Sequence, residues 1–319
     1  MLDIIAVGEV LIDLTQTDID ENGIRRYAAN PGGAPANVAV AAEKLGASTG
    51  FVGKVGSDSW GRDLRAVLNR CGVDTHGLYE TVDAPTTLAV VSLTKEGERS
   101  FTFYRAPGAD VLLRAEEALA AIVTAPKILH IGSVSLTADP GRGATLAAAE
   151  QARRTGALVS YDPNYRANLW PDEPTAVRWM REPLSMTNIL KLSDEELPLL
   201  TGTNELSAGT QKLAALGIEL ILVTLGAGGT YYRLGTAEGT VPGFPVKVAD
   251  TNGAGDTFFG ALLSVLTRGG AVELPKLTKS ELEGHLRFAN AAAALTCSRS
   301  GAIPAMPARA EVEAFLTRG

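Results

Sequence analysis

Between Leu112 and Thr224 short apolar runs alternate regularly with longer amphipathic stretches. The runs are Ile128-Leu129-His130-Ile131, Leu158-Val159-Ser160-Tyr161, Asn188-Ile189-Leu190-Lys191 and Leu220-Ile221-Leu222-Val223-Thr224. The stretches lie near 114–123, 141–155, 173–184, 194–201 and 207–216. Four or five consecutive apolar residues suit a strand covered on both faces, and the stretches between have the length and spacing of helices. Strands separated by helices are joined by crossovers, which makes them parallel neighbours in one sheet. The expected fold is α/β, a mainly parallel sheet between two helical layers.

The front of the chain breaks this rhythm. Ile4 to Val7 reads as a buried strand, Thr49 to Val55 as another, and Trp60 to Cys71 as a helix ended by Gly72. Two hairpins interrupt them. Val10 to Leu14 and Arg25 to Ala28 flank Asp20-Glu21-Asn22-Gly23, and Asn-Gly favours hairpin turns. Thr87 to Thr94 and Ser100 to Tyr104 flank Lys95-Glu96-Gly97-Glu98. Hairpins near 10–28 and 87–104 imply a small second sheet projecting from one domain that spans 1–319.

Composition narrows the functional classes. With 29 Lys+Arg against 36 Asp+Glu the chain carries −7, the wrong sign for a nucleic-acid binder. Its 319 residues can bury a core without disulfides or structural zinc. The two cysteines, Cys71 and Cys297, lie among apolar residues and read as buried thiols. His76, His130 and His285 have no paired ligand spacing, and His130 reads as a strand residue. No basic leader opens the sequence and no apolar run approaches the ~18 residues of a membrane span, so a cytoplasmic protein is expected.

The segment with the strongest chemistry is Asp250-Thr251-Asn252-Gly253-Ala254-Gly255-Asp256-Thr257. It follows the strand-like Phe244-Pro245-Val246-Lys247-Val248 and opens a helical run with Phe258, Ala261, Leu262, Val265 and Leu266 as its apolar positions. Two glycines at a helix start let backbone N–H groups approach an anion, whose charge the helix dipole favours. Asp256 then falls beside that anion. A carboxylate there is electrostatically odd unless it does chemistry or helps hold a metal, and taking the proton of an attacking hydroxyl is one such task. The plainer alternative is a helix cap after a tight turn.

A second glycine-rich helix entry, Asn30-Pro31-Gly32-Gly33-Ala34-Pro35-Ala36-Asn37, presents the Asn37 amide, which can both donate to and accept from hydroxyls. Its helix is expected over Asn37 to Leu45, before Gly46. Asp13 follows the first strand, where a carboxylate can accept from two adjacent sugar hydroxyls or stand as a solvated hairpin acid. Arg105 ends the second hairpin and Arg166 closes Asp162-Pro163-Asn164-Tyr165-Arg166; each offers a fork for phosphate or carboxylate. Thr224-Leu225-Gly226-Ala227-Gly228-Gly229-Thr230 is either a hairpin turn or a nucleotide-side loop in the crevice beyond strand ends. No GxxxxGK[ST], no GxGxxG after the first strand, no HRD…DFG set and no GxSxG occurs. These absences count against P-loop NTPases, dinucleotide-dependent oxidoreductases, protein kinases and α/β-hydrolases.

Taken together, from Gly8 to Pro307, these segments resemble the ribokinase (PfkB) family of sugar kinases. The N-terminal likeness lies in Gly32-Gly33-Ala34-Pro35-Ala36-Asn37-Val38-Ala39 with Gly46 and Gly53-Lys54-Val55-Gly56-Ser57-Asp58. The C-terminal likeness lies in Asp250 to Asp256 with Gly260-Ala261. Gly8-Glu9-Val10-Leu11-Ile12-Asp13, Phe103-Tyr104-Arg105-Ala106-Pro107-Gly108-Ala109-Asp110, Leu169-Trp170-Pro171 and Lys191-Leu192-Ser193-Asp194-Glu195-Glu196-Leu197 are most similar to bacterial fructokinases. Kinases of 2-keto-3-deoxygluconate are the nearest competitor. A non-catalytic sugar or nucleotide sensor on the same fold is a second class.

The resemblance implies a ribokinase-like α/β/α fold whose hairpins form a lid over the sugar and a homodimer surface. It implies ATP with Mg²⁺, and in many members K⁺. Asp256 would be the general base, and Gly253, Ala254 and Gly255 the anion hole. Asp13, Gly32, Gly33, Asn37, Tyr104 and Arg105 would hold the sugar, and Arg166 the sugar or the γ-phosphate. Lys191, Glu196, Thr224, Gly226, Gly229 and Asn290 would lie on the ATP side, with Glu196 organising Mg²⁺ through water. The family's Asn in that element is Ser193 here, which counts against Ser193 as a metal ligand. Asp250, Asn252 and Gly301, the last in a loop with Arg299, Ser300 and Ala305, would take the monovalent cation.

Overall fold

A computed structural model of the chain describes residues 1–93 and 99–318. Among the described residues thirteen strands form two sheets. They are β1 (Ile4–Val7), β2 (Leu11–Ile19), β3 (Arg25–Gly32), β4 (Thr49–Gly56), β5 (Asp74–Thr81), β6 (Leu88–Leu93), β7 (Arg99–Tyr104), β8 (Ile128–Gly132), β9 (Leu158–Asp162), β10 (Ile189–Ser193), β11 (Leu220–Thr224), β12 (Thr230–Leu234) and β13 (Ala237–Val241). The larger sheet runs β13-β12-β11-β10-β9-β8-β1-β4-β5. It is parallel from β11 to β5 and antiparallel only at the β12–β13 edge.

The period-2 geometry of the strands divides their apolar side chains between two cores. Ile5, Val7, Leu129, Ile131, Val159, Leu190, Leu192, Ile221 and Val223 face one side, against alanines and leucines of the helices Gly141–Arg154, Glu173–Arg181 and Leu206–Ala214. Ile4, Ile128, Ile189, Leu220 and Leu222 face the other, against the helices Ala34–Lys44, Ala254–Leu266 and Lys279–Cys297. A strand covered on both sides needs the continuous apolar runs read in the sequence.

Topology fixes where a ligand can sit. From β1 the chain passes through Ala34–Lys44 to β4 on one side, whereas β8 to β11 extend on the other. The strand order therefore reverses between β1 and β8, and the crevice beyond the C-terminal ends of such strands is the binding position of open α/β sheets. Above it stands the second sheet, β3-β2-β6-β7, built from the two hairpins and joined through a parallel β2–β6 pairing.

Several sequence expectations need correction. Phe244–Val248 is not a strand: Pro245 removes a backbone donor, and the segment runs outside the sheet edge. The helix expected from Asn37 begins at Ala34, because Pro35 sits in its first turn where a missing N–H costs nothing. The strand β5, with polar residues at Asp74, Thr75 and His76, does not read as an apolar run, nor does the half-exposed β13, and the buried β12 is likewise not among the expected strands. Cys71 and Cys297 are half-buried rather than buried. His130 is a buried residue of β8, with Nδ1 3.1 Å from Ser160 Oγ and its ring edge-on to Phe259. The Lys95-Glu96-Gly97-Glu98 turn lies outside the described residues.

Candidate active site

Two helices that cross at the crevice set the site. A Cβ on Gly260 would stand 2.7 Å from Ala41 Cβ and 2.7 Å from Val38 O, so the missing side chain lets Ala34–Lys44 and Ala254–Leu266 approach backbone to backbone. One turn toward the N-terminus of each helix lie Asn37 and Asp256. At that spacing Asn37 Nδ2 donates to Asp256 Oδ2 at 2.8 Å. Gly253 caps the second helix with φ 73°, the left-handed region open to glycine, and a Cβ there would meet Ala302 Cβ at 2.9 Å. By helix geometry the first-turn N–H groups of Gly255 and Asp256 have no intrahelical acceptor, as an anion site requires, whereas Ala254 N donates to Thr251 O at 3.3 Å.

Asp13, Gly33, Asn37, Asn164, Arg166, Asn252 and Asp256 line one pocket of about 60 Å³. Glu9, Leu11, Ala34, Phe103 and Val134 complete it, and Phe103 also borders a wider cleft of about 690 Å³. The carboxylates are buried, and burial dominates their titration. It raises the Asp256 carboxyl above its ordinary value, opposed by the Asn37 hydrogen bond and by Lys191 and Arg166. It pushes Asp13 up to about 6, opposed by Arg166 and an Asn252 hydrogen bond. Gly32 lies behind this acid: a Cβ there would stand 2.3 Å from Asp13 Oδ2. Arg166 holds its place through Nη1, which donates to Asn164 O at 3.3 Å and Tyr165 O at 3.1 Å. Asn164 itself has φ 44°, a conformation asparagine tolerates better than most residues, and its Nδ2 lies 3.5 Å from Asp256 Oδ1.

Behind the helix start, Lys191 Nζ donates to Asp162 Oδ2 at 2.8 Å in a buried pair. Burial disfavours the Lys191 ammonium, but Asp162, Glu196 and Asp256 outweigh it and hold its pKa above the ordinary value. Glu196 accepts from Tyr165 N at 2.6 Å and Ser193 N at 2.8 Å, while Ser193 Oγ accepts from Glu196 N at 3.2 Å. Ser193 thus orients Glu196. One lysine among three carboxylates leaves a negative excess beside the helix start, a setting suited to a cation that accompanies phosphate. Among the described residues no cluster of three or more His, Cys, Asp or Glu could hold a metal by itself.

Thr224, Gly226 and Gly229 lie together beyond β11, and Thr224 Oγ1 donates to Leu192 O at 3.2 Å. The segment joins the antiparallel β11 and β12, which is the turn reading. Asp250 joins two loops: Oδ1 accepts from Asn252 N at 2.8 Å and Oδ2 from Gly301 N at 3.1 Å.

For three residues the structure shows contacts other than those the resemblance implies. Tyr104 is 63% exposed, because strand alternation turns it away and gives its neighbour Phe103 to the pocket. The Arg105 guanidinium is tied to Asp110 Oδ2, Thr137 Oγ1 and Val134 O at 2.6–3.1 Å, which leaves it no fork for a ligand. The Asn290 amide donates to Val241 O and Pro242 O and accepts from Thr230 Oγ1, so it anchors the end of β13. Conversely, Glu9, Phe103, Val134 and Asn164 line the pocket without having been singled out, and Asn252 lines it too, its side chain on Asp13 and its backbone N–H on Asp250. The Asp-Pro-Asn-Tyr-Arg run held the only signal for Asn164.

With this geometry in hand, the comparisons with known proteins are consistent. Residues 1–309 match the pfkB family carbohydrate kinase pattern. The chain is 41% identical over 316 residues to a probable fructokinase-4 of Arabidopsis thaliana, covering 98% of this chain and 96% of that protein. It is similar to the crystal structure of fructokinase with bound ATP from Xylella fastidiosa, with TM-score 0.93 and 38% identity over 100% of this chain and 99% of that one. It is also similar to a fructokinase double mutant from Vibrio cholerae O395 in its fructose-, ADP- and potassium-bound form, with TM-score 0.87 and 34% identity over 99% and 98% of the two chains.

Proposed function

The chain belongs to the pfkB family of carbohydrate kinases, and from that premise we infer that it is an ATP-dependent fructokinase, converting D-fructose and ATP to D-fructose 6-phosphate and ADP. The observation that carries the assignment of roles is the Asp256 carboxylate. It is held by Asn37 at the start of a helix and shares one pocket with Asp13, Asn164 and Arg166. In that role Asp256 takes the proton of the primary hydroxyl as its oxygen forms a bond to the γ-phosphorus and the bond to the β-phosphate oxygen breaks. The N–H groups of Gly255 and Asp256 at the helix start and the Arg166 guanidinium face the charge that shifts onto the transferred group. Asp13 and Asn37 hold the non-reacting hydroxyls, and positioning supplies the rest.

ATP lies toward Thr224, Gly226 and Gly229. A metal ion brought by the nucleotide, proposed as Mg²⁺, would have Glu196 and Asp162 as its nearby carboxylates and would supply neutralisation of phosphate charge. A monovalent cation, K⁺, suits the junction that Asp250 makes between loops 250–252 and 299–305. The pocket is narrow, so the β3-β2-β6-β7 sheet must lift for a sugar to enter, as a lid does. That sheet carries the exposed Ile19, Ile24 and Tyr27 and the edge strands β3 and β7, which support it as the homodimer face. The acidic-sugar alternative needs Arg105 and Arg166 as a joint clamp, and Arg105 is already paired with Asp110.

A coupled ADP-release assay with fructose, 2-keto-3-deoxygluconate, ribose, adenosine and glucose tests the proposal. Fructose turnover that disappears in Asp256→Asn is the expected result. Turnover with the acidic sugar alone overturns the substrate, and an active Asp256→Asn overturns the base.

A further inference from the structure

Glu9 has no part in the mechanism above, yet it is 2% exposed and lines the same pocket as Asp13, Asn37 and Asp256. It follows β1, the strand at which the sheet order reverses. Its Oε1 accepts from Ala34 N at 3.0 Å, which fixes the side chain against the start of the Asn37 helix. Its Oε2 is buried and has no hydrogen-bond partner among the described residues. The same holds for Asn37 Oδ1, in the same pocket. A buried polar atom without a partner costs about 1–3 kcal/mol. Both residues line one small cavity, and a sugar with several hydroxyls seated there would relieve them.

We propose that Glu9 is a specificity-determining residue of the sugar pocket, whose Oε2 hydrogen-bonds one non-reacting oxygen of the sugar while Asn37 Oδ1 accepts from another. The inference rests on the fructokinase reading and adds a recognition contact to it. Burial pushes the Glu9 carboxyl up to about 8, with Asp110 raising it further and Arg105 opposing. At neutral pH Glu9 is therefore a neutral acid, with Oε1 accepting from the backbone and Oε2–H free to donate. The groups around it are Asp110 and Arg105 from the lid side, Asp13 from β2, Arg166 beyond β9 and Asp256 from the helix start. A sugar oxygen is a better neighbour for a neutral donor than for a second carboxylate there.

The test compares the full-length wild type with Glu9→Gln and Glu9→Met, using fructose and its 1-, 3- and 4-deoxy derivatives. The glutamine keeps an acceptor and a donor in the same place; the methionine keeps the volume and removes both. Glu9→Met is expected to raise the fructose KM about tenfold with the ATP KM unchanged, as for the loss of one hydrogen bond. It should also abolish the penalty that the wild type shows for one of the deoxy sugars, whereas Glu9→Gln should stay within threefold of the wild type. Between pH 7 and 9 the wild-type fructose KM should rise as Glu9 ionises, and that of Glu9→Gln should rise less. If Glu9→Met does not fold, the pH comparison decides. An unchanged fructose KM in a folded Glu9→Met, or superimposable pH profiles of wild type and Glu9→Gln, overturns the assignment and leaves the fructokinase reading standing. A wild type that neither binds nor phosphorylates fructose overturns both.

Discussion

The Gly32→Ala variant separates sugar recognition from everything else the site does. Gly32 ends β3, its φ is not in the left-handed region, and alanine can take its backbone conformation without strain. The added Cβ would stand 2.3 Å from Asp13 Oδ2 and 3.0 Å from its Cγ. Ordinary contact distances require the carboxylate to retreat by about 1 Å, a displacement that can alone cost about 10²-fold when it misplaces a binding group. Hydrogen bonds to a charged group are worth about 1.5–3 kcal/mol each, so losing one of a pair is about 2 kcal/mol, or roughly 30-fold in affinity. The fold should be retained, because the clash falls on the end of the Asp13 side chain and not on backbone, and the entropic gain of about 0.4–1 kcal/mol that alanine brings offsets part of the cost of moving it. Initial rates with fructose varied at saturating ATP should therefore show KM raised about 30-fold, ATP KM unchanged and the melting temperature held. A folded variant whose fructose KM lies within threefold of the wild type would refute Asp13 as a sugar ligand.

Other substitutions probe the remaining parts of the argument. Asp256→Asn should lower kcat by about 10²- to 10⁴-fold, the range of a lost general base, with fructose binding by calorimetry nearly unchanged. Because the base must be ionised and burial raises its pKa, wild-type kcat/KM should fall with decreasing pH at a midpoint above the ordinary aspartate value, which a pH–rate profile measures. Lys191→Met should destabilise the fold by about 3–5 kcal/mol at pH 8 in urea titrations by stranding Asp162. Burial raises the Asp162 carboxyl to about 7, so below that pH it can take a proton; the loss should shrink at pH 5, and a loss that does not vary with pH contradicts the pairing. Gly284→Ala, inside the helix Lys279–Cys297 with nothing within 4 Å of the new Cβ, should stabilise by about 0.8–1 kcal/mol and leave the kinetics unchanged.

Much of this architecture is legible in the sequence where burial is two-sided. β8 to β11 are recognisable because both of their faces need apolar residues, and the helix at Ala254 because glycines and an acid precede an apolar stretch. Legibility fails where one face is polar. β5 and β13 pair at the sheet's two edges, and their polar residues conceal them. Phe244–Val248 fails in the opposite sense: its apolar alternation suggests a strand, but Pro245 lacks the donor a ladder needs, and the segment stays out of the sheet.

The site exposes a different limit. Sequence gives the type of a polar residue but not which of its hydrogen-bonding atoms are already engaged. Arg105 and Asn290 stand at family positions, yet their donors and acceptors are taken up by Asp110, Thr137 and the backbone at 134, 241 and 242. They hold loops in place. Glu9 passes in the sequence as one acid among several near the N-terminus, yet its Oε2 and Asn37 Oδ1 remain unengaged among the described residues. Engagement is decided by contacts across the chain: Asn37 meets Asp256 219 residues later, and that meeting depends on the absent side chain of Gly260. The atoms left over once the protein's own hydrogen bonds are made are therefore the better guide to what the pocket recognises, and here they call for hydroxyls.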